Sequence, residues 1–92
     1  MQKSYTIEYE PAAIKDILKL KKSGRAYEKL NELIKELRLH PRTGTGKPEA
    51  LRGKRKGQWS RRITEKHRLV YKIEDYKIIV TILSAIGHYG DK

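Results

Sequence analysis

A chain of 92 residues has room for one core and can bury only part of its surface, so two layers of secondary structure in a single domain, residues 1–92, are expected. It has no cysteine, which removes disulfides, thiolate nucleophiles and Cys-based zinc sites. No apolar run approaches the roughly 18 residues of a membrane span, and MQKSYTIEYE lacks the basic-then-apolar order of a signal peptide, so the expectation is a soluble, cytoplasmic protein without membrane contact.

In chain order, residues 2–9 alternate with Tyr5, Ile7 and Tyr9 on one side, the pattern of a half-buried strand. Pro11 suits the first turn of a helix, and Ala13, Ile14, Ile17, Leu18 and the stem of Lys21 form a stripe that stops at Ser23-Gly24. Ala26, Leu30, Leu33, Ile34 and Leu37 recur at helical spacing up to His40-Pro41, where the residue before proline leaves the helical region. Residues 42–57, RTGTGKPEALRGKRKG, are glycine-rich, basic and aperiodic, at least partly a loop. Three strand-like runs follow, at 58–64, 67–73 and 76–84, with Glu74-Asp75 as a solvated turn. The order β-α-α-β-β-β predicts an α+β fold in which a two-helix hairpin packs on an antiparallel sheet.

The formal net charge is +11, and it is concentrated. Residues 42–72 hold eleven Lys or Arg against Glu49 and Glu65, a local balance of +9, whereas the other 61 residues hold 11 cations and 9 anions. Such asymmetry points to a polyanionic partner.

Hairpin register decides which way these cations face. With a three-residue loop at Thr64-Glu65-Lys66, Trp59 faces Tyr71, and Ile63 shares the core side with Leu69 and Ile73. Arg62 then lies across from Arg68 on the opposite, uncovered face, with Ser60 and Lys72. Like charges placed opposite each other repel, so either an anion bridges them or the two side chains diverge into water. Arg61 falls on the core face and is expected to reach the sheet edge with its head in water, while Val70 falls on the outer face.

GTGKPEAL at 44–51 lacks the glycine spacing of a phosphate-binding loop, and His40, His67 and His88 have no metal-ligand spacing, so neither a nucleotide cofactor nor a metal is expected. RNA cleavage without a metal remains open: the ribose 2′-hydroxyl attacks the adjacent phosphate with the help of a base, cations and an acid. Glu, Arg and His supply all three.

GKPEALRG, then GQWSRRITEKHRLVY, then the terminal GHYGDK resemble the YoeB/Txe toxins of the RelE superfamily, ribosome-dependent mRNA interferases paired with YefM-type antitoxins. The resemblance runs from NELIKELRLHP to the C-terminus and implies a RelE/ParE-like, microbial RNase-like fold. It puts the general base on Glu49, the phosphate-stabilising cation on Arg68, the general acid on His88 and an RNA-positioning group on Tyr89. Lys47, Arg52 and Arg62 match basic positions of the same groove. It further implies mRNA in the A site of the 70S ribosome as substrate, a YefM-like antitoxin and a homodimer. Gly90-Asp91-Lys92 extends past the His-Tyr pair, so a role that needs the tyrosine at the free C-terminus is not carried over. Each residue has a structural rival: Glu49 as a counter-ion in a basic loop, His88 and Tyr89 as a solvated tail, Lys54-Arg55-Lys56 as a charged surface run. His40 is assigned to a helix end and His67 to the hairpin bend. A ParE-like gyrase poison and a non-catalytic nucleic-acid-binding module are the alternative functions.

Overall fold

The computed structural model describes residues 4–87; His88 and Tyr89 lie outside the described residues. Strand β1 (Thr6–Tyr9) leads into helix α1 (Pro11–Leu20), with Pro11 in the first turn, where its missing N–H has no intrahelical partner to lose. After a three-residue link α2 (Gly24–Leu37) begins. β2 (Glu49–Ala50), a single 3-10 turn at Gly53–Arg55, β3 (Gln58–Arg62), β4 (Arg68–Glu74) and β5 (Ile79–Ser84) complete the order. Among the described residues no helix is long and apolar enough to cross a membrane.

The strands form one sheet in the order β1-β5-β4-β3-β2. Its last four strands pair antiparallel as expected, but β1 joins the edge parallel to β5, in the register Ile7 to Val80 and Tyr9 to Ile82, so the sheet is mixed. Between β1 and β5 the chain runs through both helices and the three intervening strands, a connection long enough for a parallel pairing. The glycine-rich segment is also less irregular than its composition implies, since β2 adds a fifth strand to the sheet.

The core lies between the helices and one face of the sheet. Leu30, Leu33 and Leu37 of α2 are fully buried with Leu69, Tyr71, Val80 and Ile82, and Trp59 packs at their margin. In α1 the core stripe is Ala13, Ile17 and Leu20, not the wider one expected. Ile14 and Leu18 are rotated off it, 48% and 56% exposed, and line an open apolar groove with Tyr9, Tyr27 and Ile34.

The β3-β4 hairpin has the expected register: Trp59 faces Tyr71, and Arg62 faces Arg68. Its three-residue loop needs no glycine because the Thr64 hydroxyl oxygen accepts hydrogen bonds from the backbone N–H groups of Lys66 and His67, each at 3.1 Å. The outer face is drier than expected, since Ser60 and Val70 are buried there together with Leu51. The β4-β5 turn is also not simply solvated. Asp75 accepts two hydrogen bonds from the Arg42 guanidinium, at 2.6 and 3.1 Å, and one from the Tyr5 hydroxyl at 2.7 Å, tying the turn to the loop after α2.

A basic cleft on the outer face of the sheet

Sheet alternation builds the cleft. Glu49 on edge strand β2 pairs with Ser60, and directly paired residues share a face, so Glu49 lies on the same side as Arg62, two residues further along β3, and Arg68 across from it on β4. The Arg62 N–H donates to the Gly46 carbonyl at 2.6 Å, which brings the glycine-rich segment alongside β3 just before β2 begins. Lys47 then takes a left-handed conformation, with φ of 52°, and Pro48 follows. The result is a cleft of about 360 Å³ lined by Lys47, Pro48, Glu49, Arg62 and Arg68.

Four of the residues singled out from sequence thus converge: Lys47, Glu49, Arg62 and Arg68. Arg52 does not line the cleft; it is exposed, immediately before the 3-10 turn. Chemically, the cleft offers one carboxylate among three cations, with Arg62 and Arg68 side by side, an arrangement suited to a phosphodiester.

What fixes this segment is a residue whose role the sequence did not reveal. Arg61 is fully buried, and its head group is not in water as expected. Nε donates to the Tyr71 hydroxyl at 3.1 Å, Nη1 to the Glu36 carboxylate and the Thr45 carbonyl (3.2 Å), and Nη2 to the carbonyls of His40 and Thr43 (2.8 Å). Five N–H donors therefore meet five acceptors. Tyr71 passes the network on by donating to the Pro41 carbonyl at 2.7 Å. The loop packed over this end of the core has no secondary structure to satisfy its carbonyls, and one guanidinium does so instead. His40 stands just past the end of α2, where its N–H donates to the Glu36 carbonyl at 2.8 Å, and its own carbonyl is one of the Arg61 acceptors.

Glu36 completes the cluster from α2. Burial alone would raise its carboxyl pKa, but the Thr45 N–H at 2.6 Å, the Thr45 hydroxyl at 3.0 Å and the Arg61 guanidinium together lower it. The only sequence signal for this network was that hairpin register placed an arginine on the core face.

The chain returns to the cleft after β5. The Arg68 N–H donates to the Gly87 carbonyl at 3.0 Å, so the last described residue abuts the Arg68 backbone, and His88 follows it in sequence.

A two-helix hairpin packed on a five-stranded mixed sheet, with a basic cleft at one edge of the outer face, defines the class as a small α+β domain. Residues 9–89 match the model of the YoeB-like toxin of bacterial type II toxin-antitoxin systems, and the chain belongs to that family. It is 40% identical over 85 residues to toxin YoeB of Mycobacterium bovis, covering 91% of this chain and 98% of that one. Among solved structures, the YoeB dimer from Staphylococcus aureus superposes with a TM-score of 0.81 at 34% identity, covering 94% and 99% of the two chains. A chain of the heterotetrameric YoeB-YefM toxin-antitoxin complex from the same organism gives 0.79 at 36% identity, covering 92% and 98%.

Proposed function

We propose that this toxin is a ribosome-dependent endoribonuclease that cuts mRNA in the ribosomal A site without a metal. The observation that carries this reading is the convergence of Lys47, Glu49, Arg62 and Arg68 in one cleft. Glu49 takes the proton from the ribose 2′-hydroxyl as that oxygen attacks the adjacent phosphorus. Arg68, with Arg62 and Lys47, stabilises the extra negative charge of the pentavalent transition state. His88 protonates the departing 5′-oxygen, and Tyr89 positions the RNA; the products are a 2′,3′-cyclic phosphate and a free 5′-hydroxyl. Arg52, outside the cleft lining, meets more distant phosphates.

Its partners follow from the same chemistry and from its relatives. A YefM-like antitoxin with an acidic segment is drawn to the basic cleft and masks it. The S. aureus YoeB-YefM complex supports that pairing, and the S. aureus YoeB dimer supports a homodimer.

The test is to incubate the purified protein with end-labelled mRNA, alone and on programmed 70S ribosomes with a filled P site and an empty A site. Cuts confined to the A-site codon on ribosomes are expected. Intact mRNA in both reactions overturns the proposal and leaves gyrase inhibition or binding alone as the function.

A further inference from the structure

A segment that follows the last strand of a sheet frays unless something ties it down. Residues 85–87 are tied by three hydrogen bonds outside the strand ladder, two of them to side chains from remote elements. Asp16, on α1, accepts the Ala85 N–H through Oδ2 at 3.0 Å, and Ala85 is fully buried. His67, at the β3-β4 bend, accepts the Gly87 N–H through Nδ1 at 3.0 Å. The Arg68 N–H then holds the Gly87 carbonyl. His67 is itself fixed: its carbonyl accepts from the N–H groups of Ile63 and Thr64, and its N–H donates to the Thr64 hydroxyl.

The geometry points to His67 and Asp16 as positioning residues that seat residues 85–87 beside Arg68, the point from which the chain continues in sequence to His88; this rests on the nuclease reading above. A backbone N–H can only donate, so Nδ1 of His67 serves here as the acceptor. The role needs an acceptor at that place, not an imidazole. Asn puts a carbonyl oxygen close to where Nδ1 stands, whereas Ala offers nothing. At Asp16, Asn likewise keeps an oxygen and Ala removes it. Gly87 contributes freedom of direction: its φ of +79° is left-handed, and open space surrounds the place a Cβ would take.

The experiment compares the wild type with His67→Ala, His67→Asn, Asp16→Ala and Asp16→Asn. It measures single-turnover cleavage on programmed ribosomes and hydrogen exchange at the Gly87 amide (for His67) and the Ala85 amide (for Asp16). In the alanine variants the corresponding amide is expected to lose protection, and the cleavage rate at saturating ribosomes to fall by about a hundredfold, the penalty of a misplaced catalytic group, with KM little changed. The asparagine variants are expected to recover both. An alanine variant that cleaves at full rate, or an asparagine variant as slow as its alanine counterpart, overturns the inference. If His67→Ala fails to fold, the Asp16 pair decides. A wild type that cleaves nothing overturns the nuclease reading and the catalytic role with it, while amide exchange still separates an anchored segment, lost on His67→Ala, from one that His67 never held.

Discussion

Arg61 and Glu36 meet in an ion pair between the core face of β3 and the last turn of α2, and the arginine half of that pair has no access to water. Breaking a buried pair by removing one partner costs about 3–5 kcal/mol, because the remaining groups stay desolvated and unpaired. In Arg61→Met the carboxylate of Glu36 and the carbonyls of His40, Thr43 and Thr45 all lose a donor. Urea unfolding should therefore show a loss of at least about 3 kcal/mol. A loss below about 1 kcal/mol, the scale of an exposed pair, would show that the network is not what holds the loop.

The same cluster sets an acid limit on stability. The Glu36 pKa is lowered from 4.5, so between that value and the folded-state pKa the unfolded chain binds more protons than the folded one. The stabilisation is fully present above 4.5 and drains away as pH falls through the folded pKa. Thermal melts between about pH 3 and 6, spanning the carboxylate range, should fall more steeply for the wild type than for Glu36→Gln. Equal slopes would place the acid sensitivity elsewhere.

Much of this architecture was legible in the sequence, and the reasons it stopped where it did are physical. Side-chain alternation has a period of two, so one assumption about loop length settled the facing of every residue from Trp59 to Tyr71, and the Arg62-Arg68 pair stands where that register put it. The destination of Arg61 was not legible, because nothing local announces that the five acceptors it needs come from α2, the loop after it and β4. The parallel edge strand escaped for the same reason: pairing between β1 and β5 is a property of their neighbours and not of either segment. In α1, Ile14 and Leu18 joined the stripe on spacing alone, although one helix face is wider than the core it meets. Glu49 could be singled out by resemblance, but that a two-residue strand carries it onto the arginine face depends on pairing with Ser60, which composition hides among four glycines.

Lys47 carries backbone strain beside the cleft. Its φ of 52° is left-handed, which costs a non-glycine residue about 1–2 kcal/mol. Lys47→Gly should relieve that strain and raise stability by up to about 1 kcal/mol, net of the added chain entropy of glycine, while lowering cleavage through loss of the cation. A variant that is both more stable and fully active would remove Lys47 from the list of phosphate contacts. At Gly46 the reverse holds: its φ is +85°, and a Cβ would stand 3.0 Å from the Arg62 carbonyl oxygen and 3.1 Å from the Leu33 Cδ2. Gly46→Ala should therefore lose stability and activity together, whereas Gly53→Ala, which has the same sign of φ with open space around it, pays for backbone conformation alone.

Charge in the cleft and charge on the surface should separate in one assay. Arg68 lines the cleft and faces Arg62, while Arg55 is exposed in the 3-10 turn and donates to Gln58 at 3.2 Å. A cation that stabilises a transition state acts on the rate of the chemical step, and removing one such preorganised group costs about 10²–10³-fold. A surface cation contributes to the encounter with RNA and is screened by salt. Arg68→Ala should accordingly lower single-turnover cleavage on ribosomes by at least about a hundredfold at every salt concentration. Arg68→Lys should recover only part of that, since an ammonium lacks the planar fork that grips two phosphate oxygens. Arg55→Ala should weaken binding at moderate salt and leave the saturated rate unchanged. Equal losses for Arg68→Ala and Arg55→Ala, both relieved by low salt, would mean that the cleft holds RNA without cutting it.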